Sequence, residues 1–197
     1  MPLQFPPRSS SVLAGALAAI GLALALAVAG CSHVTPLGPT PAATILPPRQ
    51  LGSPIVLQAM LGKPGTPPGG PCPTGYVVLT GPAAAGNTGL CYSKLGAPVT
   101  FTSAGVAQYQ PRNSSGQPAG PPGSSGLMIN LPAADRSALT AITTKAYQAK
   151  GYVDITVGGR TWGIEEAMAP LTGGQFALSL PSGKLALQLQ HLLDPSG

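Results

Sequence analysis

Prolines at positions 36, 39, 41, 47, 48 and 54 set the first limit on what this chain can fold into. A proline ring fixes φ and removes a backbone donor, so a stretch this dense in proline supports neither a helix nor a central strand. Ser32 to Pro54 is also nearly free of charge, and residues 31–54 read as a disordered, Pro-rich tether of semi-rigid character. A second stretch, Gln110 to Ser125, mixes prolines and serines with glycine and reads as a mobile loop over 110–125. The whole chain has 27 glycines, 24 prolines and only 8% charged residues, a composition that implies long irregular segments between ordered elements.

The residues before the tether have a different character. Arg8 supplies positive charge, and Ser9 to Gly30 is uncharged and dominated by Ala, Leu, Val, Ile and Gly, the layout of a signal peptide. The stretch ends in Val28-Ala29-Gly30-Cys31, where small residues let an extended backbone enter a narrow peptidase site and the thiol can take a diacylglyceryl group. This resembles a bacterial lipobox. On that reading residues 1–30 are removed and lipid on Cys31 holds the chain at the extracytoplasmic face of the cell membrane, with no further cofactor implied. Each buried methylene adds ~0.8 kcal/mol, so two or three acyl chains anchor firmly. The alternative is a retained transmembrane anchor, because about twenty apolar residues span a bilayer. The Ala and Gly content of Val12 to Ala29 and the placement of Cys31 favour lipidation.

Export would place the other two cysteines, Cys72 and Cys91, where disulfides persist, and a bridge between them would close a loop worth about 3 kcal/mol. The alternative is metal ligation, for which no second Cys or His stands nearby at ligand spacing. Ten Lys and Arg against five Asp and Glu give a formal charge of +5, but the cations are scattered singly, without the clustering that nucleic-acid binding needs. Nucleic acid is therefore not expected as a partner. Enzymatic chemistry finds no motif either. His33 and His191 lack an adjacent nucleophile, and Glu165 and Glu166, being neighbours, point apart on a strand or a helix. The chain is expected not to be an enzyme. Asn113-Ser114-Ser115 matches a glycosylation acceptor, and Thr35, Thr40 and Thr44 are candidate O-glycosylation sites against an unmodified linker.

The C-terminal half is better patterned. Leu127 to Leu131 reads as a strand, and Pro132 sits at the first turn of a helix over Ala133 to Lys150 with Ala138, Leu139, Ile142, Ala146 and Ala149 on one face. Val153, Ile155 and Val157 alternate with polar residues, and Gly158-Gly159 separates them from Arg160 to Ile164, which spells a hairpin. Gly174 to Leu180 gives another strand. Leu185, Leu189, Leu192 and Leu193 make a helical stripe after a Ser182 cap, although Leu185, Leu187 and Leu189 also alternate as a strand would. Ile55 to Met60 and Val106 to Gln110 add candidate strands. The expected architecture is α+β, a mainly antiparallel sheet with two helices on one face, forming a single domain over 55–197. Tyr152 and Trp162 fit either the lining of a groove or the core of a strand pair, and aromatics in paired strands favour the core.

Over Ile55 to Leu193 the chain resembles the head of the first extracytoplasmic domain of SecD, the export-assisting membrane subunit, particularly its actinobacterial forms. The likeness is carried by Leu127 to Leu131 with the Leu139-Thr140 helix, by Val153-Asp154-Ile155-Thr156-Val157-Gly158-Gly159-Arg160, by Leu171-Thr172-Gly173-Gly174-Gln175-Phe176, by the closing Leu-rich helix and by Cys91 to Gly96. The Ala-Pro usual after the hairpin's second strand is replaced around Ile164-Glu165. The resemblance implies contact with exported polypeptides or translocase subunits through a strand edge or shallow groove, without motor activity, because the base domain and membrane helices are missing. Two alternatives stay open at this stage: a carrier of a lipid or other apolar ligand in the cell envelope, which requires a cavity of at least several hundred Å³, and a purely structural surface module.

Overall fold

A computed structural model describes residues 46–64, 71–79, 81–82, 90–113, 117–118, 120 and 122–196. The signal segment, Cys31, His33 and the candidate threonines lie outside the described residues, as do Ser114 and Ser115. The ordered elements are β1 (Arg49–Pro64), β2 (Leu90–Lys94), β3 (Val99–Tyr109), β4 (Ser125–Asn130), a 3-10 turn (Ala133–Asp135), α1 (Arg136–Gln148), β5 (Tyr152–Val157), β6 (Arg160–Glu166), β7 (Gln175–Leu180) and α2 (Gly183–Leu193). Among the described residues no helix is long and apolar enough to cross a membrane.

Every strand pair is antiparallel, in the order β6-β5-β1-β3-β4-β7, with β2 paired to the far end of β1. The fold is therefore α+β with a mainly antiparallel sheet and two helices. β1 is long enough to hold β3 through its first half and β2 through its last five residues. It begins at Arg49, so the expected linker of 31–54 is too long at its C-terminal end. Pro54 is accommodated because it falls where the β1–β3 register shifts between Gln50 and Ile55, at a break in the ladder where a missing donor costs nothing.

The core is built from one face of the sheet and the inner faces of both helices. Ile55, Leu57 and Ala59 of β1, Phe101 of β3, Leu127 and Ile129 of β4, and Val153 and Ile155 of β5 meet Leu139, Ile142 and Ala146 of α1 and Ala186, Leu189 and Leu193 of α2. Fully burying a side chain of this size contributes about 1.5–3 kcal/mol. α2 starts at Ser182, whose Oγ accepts from the Leu185 N–H at 3.3 Å. Its buried face is rotated from the leucine stripe read in the sequence: Ala186 lies inside, whereas Leu192 is exposed.

The end of α1 divides two roles between neighbours. Lys150, not a glycine, takes the left-handed conformation at φ 50°, and the Gly151 N–H reaches back to the Ala146 carbonyl at 2.9 Å. Gly151 is needed for a different reason, since a Cβ there would clash with the Met60 carbonyl oxygen of β1.

The 110–125 loop closes partly on itself. Arg112 bridges to Pro118, and the Asn113 N–H donates to the Gln117 carbonyl while Asn113 Oδ1 accepts from the Gln117 N–H, both at 2.9 Å.

Candidate binding edge

The sheet ends at β6 on one side and β7 on the other, each paired along one edge only. An open edge presents unpaired N–H and C=O groups to any extended chain, and natural sheets protect such edges with charge, proline, bulges or a covering loop. β6 has several of these protections. It carries Arg160, Glu165 and Glu166, its register with β5 shifts between Ile155 and Thr156, and Gly81 lies against the backbone of Thr161. β7 has none. Gln175-Phe176-Ala177-Leu178-Ser179-Leu180 contains no charge and no proline and keeps an unbroken register against β4. Phe176, Leu178 and Leu180 point into the core, while Gln175, Ala177 and Ser179 are half-buried. Among the described residues no loop bonds to β7 through the backbone.

The two ends come together at Gly163 and Leu178, where a Cβ on Gly163 would clash with Leu178 Cδ1. Next to this contact the Glu165 side chain enters the core. β5–β6 register places Glu165 opposite Val153 and Gly163 opposite Ile155, so both face inward. Glu165 is 8% exposed and borders a void of about 10 Å³ shared with Leu139, Thr143, Leu171 and Phe176, room for at most one water. No described residue bonds to its carboxyl, and burial pushes it up to about 8. Leu171 is fixed over this point by α1: its N–H donates to Thr143 Oγ1 at 3.0 Å and its carbonyl accepts from Thr140 Oγ1 at 2.7 Å. Glu166, its neighbour, is half-buried on the other face, so the two carboxyls diverge.

The opposite face of β1, β2 and β5 holds a second polar group. Tyr92 and Tyr152 stack edge to face at 5.6 Å, beside Gly62, where a Cβ would meet the Tyr152 ring. Asp154 Oδ2 accepts from Thr156 Oγ1 at 3.2 Å, whereas Asp154 Oδ1 and Tyr92 Oη are buried without a partner among the described residues. Burial raises the Asp154 carboxyl, opposed by the Thr161 and Thr156 hydroxyls and by Lys94. Burial also pushes the Tyr92 phenol up to about 12, aided by Tyr152 and Asp154. Residues 71–79 form a strap beside β2, where Val77 exchanges two 2.8 Å hydrogen bonds with Tyr92, and Gly81 lies against Thr161 of β6. A disulfide between Cys72 and Cys91, with Cα atoms 5.4 Å apart, ties the start of this strap to β2. The cysteines thus form the bridge, and among the described residues no three His, Cys, Asp or Glu side chains gather.

The remaining residues singled out in the sequence are dispersed. His191 is exposed on α2, Asn113 sits in the self-paired loop, and Trp162 is fully buried with Nε1 donating to the Val157 carbonyl at 3.1 Å. Tyr152 lies on the strap side of the sheet and not in the main core. The β7 edge and the buried Glu165 carboxyl are features that reasoning along the sequence does not assemble; the replacement of Ala-Pro around Ile164-Glu165 was the one local signal at the latter. Comparison with protein-family models, with curated proteins and with solved structures returns no match to this chain.

Proposed function

We propose that this chain is a lipoprotein, held at the extracytoplasmic face of the membrane by lipid on Cys31, that binds an extended segment of an exported polypeptide by strand addition at β7. The observation that carries this reading is the six-residue edge of β7, uncharged, proline-free and unbulged, in contrast to a β6 edge that carries charge, a bulge and the contact with Gly81. Strand addition draws affinity from main-chain hydrogen bonds and therefore tolerates many sequences, which suits a partner met in unfolded form. The resemblance of Ile55 to Leu193 to the SecD head is in keeping with an export-side partner, in a role without motor activity. Charge plays little part in such a contact, in keeping with 8% charged residues in the chain. A lipid carrier needs an enclosed space of a few hundred Å³; the void beside Glu165 is about 10 Å³, and the groove of about 800 Å³ beside α2 is open to solvent.

Two measurements test the reading separately. Mass spectrometry of the Cys31 peptide from membranes should show a diacylglyceryl-modified N-terminus; an unmodified, uncleaved segment rejects the anchor. For the edge, uncharged extended peptides titrated against the protein should shift and protect the backbone amides of Gln175 to Leu180. Lysines at Gln175 and Ser179, the protection that β7 lacks, should weaken binding at least tenfold. Peptide binding that leaves β7 amides unchanged, or that survives both lysines, rejects strand addition there.

A further inference from the structure

We infer that the outer face of α2 is a docking surface for an anionic membrane, so that the domain lies against the bilayer that anchors it. The inference rests on the lipid-anchor reading for its biological setting, but the surface itself is on the protein. Lys184, Leu187, Gln188, His191 and Leu192 are all exposed and recur at spacings of three and four, which places them in one stripe along the helix. Leu187 is 52% and Leu192 36% exposed, although a helix of this size can bury its leucines, as it does Leu189 and Leu193. The helix contains Lys184 and His191 and no Asp or Glu. Exposed leucines beside Lys184 and polar side chains, with the one neighbouring acid, Asp194, paired to Arg49, fit the boundary between anionic headgroups and acyl chains. The stripe borders an open groove of about 800 Å³ between α2 and Gly52-Ser53 of β1.

The position of the tether selects this occupant over others. The described chain begins at Leu46, itself 40% exposed, with residues 1–45 preceding it. Arg49, three residues on, pairs with Asp194 at the end of α2 at 3.2 Å. At ~3.3 Å per extended residue, the tether leaves the domain within about 10 Å of that end of the stripe. Lipid on Cys31 would then hold the stripe beside the bilayer at an effective concentration on the order of millimolar, where even a surface with two leucines and one lysine is occupied.

The test uses the processed chain, residues 31–197 with Cys31→Ser, which retains every described element and the whole core cluster but has no acyl group. Co-sedimentation at millimolar lipid should show at least fivefold more binding to vesicles of phosphatidylglycerol and phosphatidylcholine than to phosphatidylcholine alone. The Leu187→Gln, Leu192→Gln double variant should lose that difference with Trp162 fluorescence unchanged. The Val77→Gln, Val78→Gln variant, which alters the exposed apolar pair on the strap, should keep it. Equal binding to both vesicles, no binding to either, or loss in the valine variant instead of the leucine variant overturns the inference. Because the acyl group is absent, these outcomes are independent of whether Cys31 is lipidated.

Discussion

Glu165→Gln should remove most of the pH dependence of stability between pH 4.5 and 8. The carboxyl is buried among Leu139, Leu171 and Phe176 with no hydrogen-bond donor among the described residues, so burial favours the protonated form. In the unfolded chain the group titrates near 4.5 and in the folded chain near about 8. Between those values the folded chain holds a proton that the unfolded chain has released. Stability from this group is therefore present in full below the unfolded value and is lost as pH rises through the folded one. At 1.36 kcal/mol for each tenfold change, the loss from pH 4.5 to 8 is about 4 kcal/mol, a large share of a stability of ~5–15 kcal/mol. Asp154 is raised in the same sense and remains in the variant; Tyr109, whose phenol is raised by burial and by the Glu165 charge, titrates above this window. Trp162, the single tryptophan and fully buried, reports unfolding directly. Urea titrations at pH 5, 6, 7 and 8 with the disulfide intact give the slope. A wild-type stability that is flat or rises over this range, or a Glu165→Gln protein with the same slope as the parent, refutes the reasoning.

Gly163→Ala should destabilise by about 1–3 kcal/mol through overpacking against Leu178, and Leu178→Ala by about 2–5 kcal/mol through the cavity it leaves. The double variant should cost less than the sum in denaturant titrations, because the new methyl enters the vacated space; strict additivity would mean that the two strands do not meet there. Lys150→Gly should raise stability by about 1 kcal/mol by removing a left-handed side-chain residue, whereas Gly151→Ala should lower it through the clash with the Met60 carbonyl. Equal effects of these two substitutions in thermal melts would show that the helix end is not divided as described.

Much of this fold is legible where local chemistry and tertiary packing agree. The Gly158-Gly159 turn, with both residues at positive φ, fixes the β5–β6 hairpin, and Ser182 fixes the start of α2. Legibility fails where long-range pairing overrides a local signal. The prolines around position 50 argue for linker, yet β1 runs through Pro54 because β3 holds it before and after that residue, β5 joins from Ile55, and the ladder breaks at Pro54. β2 is five residues with little alternation, and it is recruited by the far end of β1 and the Cys72–Cys91 bridge. Glu165 is hidden for a related reason: a carboxylate next to another carboxylate reads as surface, and only the β5–β6 register turns it inward.

The difference between the two sheet edges is hard to attribute to stability alone. Protection of β6 costs the fold a bulge and a buried carboxyl, whereas six uncharged residues at β7 invite association with any extended chain. An edge of that kind is tolerable when its surroundings control access. Pro181 and Ser182 are the only residues between the end of β7 and the start of α2. A membrane seated on the outer face of α2 would therefore lie close to one end of the β7 edge, and a polypeptide emerging from that membrane would meet the edge before bulk solvent could mix it with others. Under this arrangement Gln175→Lys with Ser179→Lys should weaken peptide binding equally on vesicles and in solution. Leu187→Gln with Leu192→Gln should weaken it only on anionic vesicles, and loss of binding in solution from the leucine variant would refute the division between a peptide-binding edge and a membrane-facing helix.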